Sequence, residues 1–425
     1  MKKRSFAAAI FVLVFLLINC SGRKDGGQTG GQNTVKWAIW DYDLTVYYKP
    51  LIDAYQTKNP QVKIETVDLG SADYMTVLGT QLSGGADLDV LCIKDIPGYA
   101  NLVKQNRLES LNSFITANNI DTTLYNGVTE QIAVNGEVYA LPFRSDFWLI
   151  FYNKDLFDAT GVPYPPNDIT LDEYDVLARR LTRGSGANKI YGGHYHTWRS
   201  AVQLFGILDG KNTIVDGAYD FLIPYYERVI KEQDDGIVQS YATLKTSGTH
   251  YSGAFFNNHI ATLNMGTWFI ATQIDKVKTG ESLSVNWGLA KYPHPAGVEA
   301  GTTLGTITSV AVNRNSKNKE TALDFVKFVS GPEGAAILAK LGTIPAIMNQ
   351  EVIDAITSIP GFPADDNSKE ALRVYKTYLE MPMHDKSADI EIVLNEAHDS
   401  IMTGNSSIAQ GIKEMNDRVK KILGK

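Results

Sequence analysis

The chain has 425 residues, 44% of them hydrophobic and 20% charged, the balance of a globular protein large enough for two hydrophobic cores. Its net charge is −7 at pH 7 without any basic block, a poor match to nucleic-acid binding. Beyond the N-terminal run, no stretch approaches the roughly 20 apolar residues that a membrane-spanning helix needs, so the body is expected to be water-soluble.

Phe6 to Ile18 is a mostly apolar run preceded by Lys2, Lys3 and Arg4. A basic start, a short greasy stretch and a polar junction form the pattern of an export signal. Losing those three cations takes the net charge from −7 to −10. Leu17-Ile18-Asn19-Cys20 resembles the lipobox of bacterial lipoproteins, with Asn19 less usual than Gly or Ala before the cysteine. The resemblance implies a signal peptide over 1–19 and a diacylglyceryl group on Cys20, followed by acylation of the new amine. Cleavage near Ser21 without lipidation is the alternative. Several acyl chains anchor a protein durably where one does not. "SGRKDGGQTGGQNT" (21–34) reads, with Cys20, as a flexible tether over 20–34, about 20 Å from end to end. With Cys20 lipidated, the other cysteine, Cys92 in "DVLCIKD", has no disulfide partner and reads as a small core residue.

"TVKWAIW" (34–40) is a predicted strand, followed by Tyr48, Leu51, Ile52 and Tyr55 at helical spacing up to Asn59-Pro60. "VKIETV" (62–67) is a second strand, "DYMTVLGTQLSGG" (73–85) a helix closing at glycines, and "LDVLCI" (88–93) a third strand. This alternation predicts a doubly wound, mostly parallel sheet. Ligands bind such sheets beyond the carboxyl ends of the strands. Trp40-Asp41-Tyr42 and Lys94-Asp95 stand at those ends. Residues 136–166 hold a turn, a strand and a Pro-rich loop, and Thr170 with Glu173 forms a capping box. "ATLNMGTW" (261–268) and "TSVAVNR" (308–314) are further strands. "KETALDFVKFVSGPEG" (319–334) is an amphipathic helix, and the last hundred residues are mainly helical.

The ordered set "GGADLDVLCIKD", "VYALPF", "LIFYNKDLFDATGV", "FFNNHIATLNMGTW", "WGLAKYPHP", "AVNRNSKNKETALDFVKFVSGPEG" and "LGTIPA" resembles the extracellular solute-binding proteins of ABC importers. The branch is the one that includes maltose-type sugar binders. The resemblance spans nearly all of the mature chain. It implies an α/β fold of two lobes joined by a hinge, each lobe a doubly wound, mostly parallel sheet with flanking helices. Lobe one takes 34–146 plus 290–331 and lobe two takes 147–289 plus 332–425. The implied function is capture of a carbohydrate between the lobes and delivery to permease subunits with their ATPase. The implied protein is a monomer in the bacterial cell envelope, lipid-anchored, with its body in the periplasm or extracellular space. It binds neither nucleic acid nor any cofactor.

A sugar site needs flat aromatic surfaces and a ring of donors and acceptors, preferably charged. Trp268 matches the family position where an indole stacks on a sugar, with Gly266 allowing close backbone approach; core packing is the alternative. Trp198 falls where a second aromatic wall is frequent, again with core packing as its rival. Asp146 and Arg144 either meet hydroxyls at the lobe crossover or pair with each other in the hinge. One of Trp40, Asp41 and Tyr42 is expected to touch ligand. Asp95 contacts ligand or caps a helix, and Tyr74 is a further candidate. "GTTLGT" (301–306), Gly305 included, offers backbone amides or forms a flexible loop.

His194 and His196 make an H-x-H pair, which lacks the third ligand a zinc site needs, and no metal is expected. No G-x-S-x-G elbow, P-loop or Rossmann glycine fingerprint occurs, so no enzyme is expected. A membrane-anchored glycosidase is the enzyme alternative, because spacing alone does not exclude a carboxylate pair. Within the binding class, a polyamine, iron chelate or glycerol phosphate is the alternative ligand. The 10% aromatic content favours carbohydrate.

Overall fold

The computed structural model describes residues 33–70, 73–125 and 127–425. The signal segment, Cys20 and the tether up to residue 32 lie outside the described residues. The first strand, β1, is Asn33–Ile39, so the last two residues assigned to the tether belong to the fold. It is followed by β2 (Val62–Asp68), β3 (Val90–Ile93), β4 (Leu141–Asn153), β5 (Thr262–Gly266), β6 (Trp287–Lys291), β7 (Thr302–Val312) and β8 (Lys376–Leu379). Their order is β2-β1-β3-β7-β4-β5, with β6 also on β4 and β8 also on β7.

Two long strands carry the architecture. The first half of β4 pairs with β7, from Leu141↔Val310 to Phe147↔Gly305, with a register shift between Pro142 and Arg144. Its second half pairs with β5 on one side and β6 on the other. β7 in turn reaches β3 through Ser309–Val312 and β8 through Thr302–Gly305. Both strands therefore run from one sheet region into the other.

The mostly parallel expectation holds for β1 with β2 and β3. It fails around β4, whose pairings with β5, β6 and β7 are all antiparallel. A strand that crosses between regions is met by strands of the returning chain, and these run the opposite way. The sheet is thus mixed, within the expected α/β class.

β4 is buried on both faces over most of its length, and alternate side chains leave opposite faces into different cores. Phe147, Leu149 and Phe151 enter one core with Leu263, Met265 and Phe269. Ile150 and Tyr152 enter another with Phe157 and Tyr174. β1 and β3 bury Trp37, Ile39 and Leu91 in a third, larger core. Tyr48, Leu51, Ile52 and Tyr55 form the buried stripe of the helix Tyr48–Lys58, as their spacing predicts. The Thr170–Glu173 capping box is present. Pro332 does more than end a helix, since it opens the next one, Pro332–Lys340.

Candidate functional site

Alternation on β4 brings Arg144, Asp146 and Trp148 to the face opposite Phe147 and Leu149. Asp146 is 2% exposed. Its Oδ2 accepts from Arg144 Nη2 at 2.6 Å and its Oδ1 from Thr267 Oγ1 at 2.9 Å. Arg144 Nη1 donates to the Tyr47 hydroxyl at 2.7 Å. Burial opposes the guanidinium charge, but Tyr47 and Asp146 outweigh it and raise the Arg144 pKa. The carboxylate–guanidinium pair foreseen as an alternative is therefore formed.

Trp268 leaves β5 and heads the helix Phe269–Lys278. Its Nε1 donates to the Tyr251 hydroxyl at 3.2 Å. A Cβ on Gly266 would lie 2.0 Å from the Trp268 ring, so this glycine makes room for the indole itself. Trp148 stands edge-on to Trp268 at 6.0 Å and to Trp198 at 6.4 Å, while Trp198 and Trp268 lie 6.2 Å apart. Trp198 is 38% exposed. Core packing does not describe it.

Two cavities open on either side of Trp268. One, of about 620 Å³, is lined by the three tryptophans, Arg199, Glu380 and Thr306. Lys245, Glu391, Asn395 and Asp399 complete its rim. The other, of about 550 Å³, is lined by Trp268 with Trp40, Tyr47, Arg144, Asp146 and Thr45, among others. In the first, Trp148 Nε1 donates to Glu380 Oε1, and Arg199 Nη2 donates to Glu391 at 2.9 Å. Burial pushes the Glu380 carboxyl up to about 7, against the Trp148 hydrogen bond and Arg199 and with help from Glu391.

The structure thus brings Trp40, Arg144, Asp146, Trp198 and Trp268 together. Asp41 and Tyr42 line neither cavity; their N–H groups donate to Asp68 at 3.0 and 2.8 Å. Burial opposes charge on Asp68, yet these bonds and one from Gly70 lower its pKa, and the loop after β1 is pinned. Asp95 caps the helix Ile96–Lys104, accepting from Gly98 N–H at 2.7 Å. Burial, and to a smaller degree Glu391, raises its pKa, which places it in the electrostatic neighbourhood of the larger cavity.

Two expectations are corrected. Tyr74 is 1% exposed, its hydroxyl 3.0 Å from the carbonyl oxygens of both Ala38 and Cys92. It is a core residue that supports Trp40 from behind at 4.9 Å. Gly305 belongs to no loop. It lies inside β7, paired with both Phe147 and Leu379, and its carbonyl accepts from Glu380 N–H at 3.1 Å. A Cβ there would sit 2.5 Å from Thr377 Cγ2, so glycine lets β8 approach.

Trp148, Arg199 and Glu380 were missed. The first had a signal, since it lies two residues beyond Asp146 on the same strand face. Arg199 follows Trp198 directly. Glu380 had none, because only packing of β8 on β7 carries it to the cleft. His194 and His196 are buried with rings 6.1 Å apart, and burial lowers their pKa to about 3 and about 4, so both stay neutral near pH 7. Among the described residues no three His, Cys, Asp or Glu side chains converge as a metal site. Cys92 is fully buried, and burial pushes its thiol up to about 12.

Residues 43–336 match the family model for bacterial extracellular solute-binding proteins. The lactose-binding protein of Rhizobium radiobacter is 24% identical over 342 residues, covering 76% of this chain and 74% of that relative. The galactooligosaccharide-binding protein of Bacillus subtilis is 22% identical over 368 residues, covering 80% and 82%. A sugar transporter structure from Rhizobium etli, in an open conformation, is 56% identical with a TM-score of 0.85, over 91% of this chain and 99% of that one. The sugar-binding protein MalE of Xanthomonas citri, 19% identical with a TM-score of 0.74 over 92% and 98%, shares the fold.

Proposed function

The chain belongs to the bacterial extracellular solute-binding protein family, and from that premise we propose that its cleft captures a carbohydrate for an ABC importer. Its fold is the two-lobe α/β fold of periplasmic binding proteins. Trp268 carries the reading: one indole walls two adjacent cavities, of about 620 and 550 Å³. Each lies within the roughly 300–1,000 Å³ range of small-molecule sites. Flat rings beside Arg144, Asp146, Arg199 and Glu380 match the apolar faces and hydroxyl rim of a sugar. A shared central wall favours a ligand of at least two sugar units, one on each side.

The lobe division proposed is 34–146 with 290–331 against 147–289 with 332–425. The split of β4 between β7 and the β5–β6 pair supports a hinge along β4 and β7. Ligand touching both lobes favours the closed state, and a permease partner reads closure. The cleft is proposed to bind without catalysis, in a monomer held at the envelope through Cys20.

Titrating the full-length protein with mono- and oligosaccharides while following tryptophan fluorescence tests the reading. Saturable one-to-one binding without product supports it. A folded protein that answers to no saccharide refutes it, and turnover refutes the non-catalytic part. Replacing Cys20 by serine should release the protein from membranes, and retained membrane association would exclude the lipid anchor.

A further inference from the structure

The larger cavity has an unbalanced charge pattern. Two of its carboxylates have cations: Arg199 with Glu391 at 2.9 Å, and Lys245 with Asp399 at 3.1 Å. Glu380 has no ion-pair partner among the described residues; its contact is the neutral indole N–H of Trp148. Arg199 is 4% exposed, its Nε and Nη1 are buried without a hydrogen-bond partner, and it favours the Glu380 carboxylate without pairing with it; among the described residues its ion pair is with Glu391. Outside the lining, Asp95 caps the helix Ile96–Lys104, and Glu391 also helps to retain its proton. Lys94, the cation next to it, lies over the Trp40 ring at 5.6 Å. Tyr292, 6.1 Å from Trp148, is a buried neutral phenol near Glu380. The charge surplus is negative and centres on Glu380, beside three indoles.

A carboxyl in a site that sheds water on closure must either keep its proton or meet a cation. A neutral sugar hydroxyl supplies a hydrogen bond and leaves the charge. An ammonium supplies both charge and donors, and it is attracted to indole faces. The geometry points to a saccharide that bears a basic amine, with Glu380 as the residue that selects it. This inference rests on the carbohydrate reading above and names the class of sugar. The Glu380 pKa of about 7 gives binding a signature: the cation expels the carboxyl proton to buffer, so affinity rises with pH.

The test is calorimetric titration of the full-length protein, in detergent, with matched amino and neutral sugars. Mono- and disaccharides of gluco, galacto and manno configuration serve, at pH about 5.5 and 7, where a sugar amine stays largely protonated. The amino member of the recognised pair should bind at least about tenfold tighter at pH 7. That preference should shrink several-fold at the lower pH and vanish in Glu380→Gln, whose amide oxygen still accepts from Trp148. Far-ultraviolet circular dichroism and the melting temperature of that variant report its folding; should it not fold, the wild-type pH comparison still decides. Equal or tighter binding of the neutral sugar, or a preference that survives Glu380→Gln, overturns the inference and leaves carbohydrate capture standing. Binding of no sugar in either series overturns both.

Discussion

The two cavities flanking Trp268 are built from similar residue types and end in opposite states. On the Arg144 side the buried charges are paired: Asp146 accepts from Arg144 and Thr267, and Arg144 reaches Tyr47. On the Arg199 side, Glu391 and Asp399 are paired, while among the described residues the Glu380 carboxyl holds only an indole N–H. The buried pair of the first side forms without a ligand, and Glu380 on the second has no such pair among the described residues. A buried, hydrogen-bonded ion pair fixes geometry, whereas a carboxyl lacking a counter-charge is poised to respond to whatever enters.

Breaking the Arg144 side should have the largest effect. Asp146→Ala leaves a partly buried guanidinium without its carboxylate, so unfolding free energy should drop by about 3–5 kcal/mol, read by urea denaturation. A loss within experimental error would show that the pair is not structural. Next comes the wall common to both sides. Trp268→Ala should weaken saccharide binding by about 2 kcal/mol, measured by calorimetry; unchanged affinity would remove it from the site.

The Glu380 side is sharpened by pH. Glu380 has a pKa of about 7 in the fold against 4.5 ordinarily, so the native state holds more protons between those values. Stability of the ligand-free protein should therefore fall as pH rises from about 4.5 to 7 and level off above. The drop is about 1–2 kcal/mol, allowing for partial exposure of the group to the cleft. Glu380→Gln should flatten that profile, and an unchanged slope would assign it elsewhere. The smallest effect concerns the strand beneath. Gly305→Ala meets Thr377 Cγ2 and should cost about 1 kcal/mol, recovered when Thr377→Ser is added. Failure of the second change to restore the melting temperature would mean that the methyl contact is not the cause.

Legibility in the sequence varied by residue for definable reasons. The Tyr48–Lys58 stripe and the Thr170–Glu173 box depend on contacts three or four residues apart, so local pattern suffices. Trp268 was found by resemblance, and Trp148 was findable from the alternation along β4. β8 is only four residues long, KTYL, and carries no periodicity of its own. Residues 301–306 lacked a strand signal because Gly301 and Gly305 interrupt the apolar pattern. Tyr74 looked like a strand-end ligand because spacing cannot tell a hydroxyl facing a cleft from one facing two carbonyl oxygens.

By itself the sequence determined most of the strands, the helix stripes, the acidic balance and the family, since these follow from periodicity, composition and motif order. Tertiary structure alone decided which strands cross, that Asp146 is committed to Arg144, and that Glu380 meets Trp148 from 232 residues away. Such pairings are properties of packing: no local pattern encodes which distant side chain will share a cavity or whether a charge will find its counterpart there.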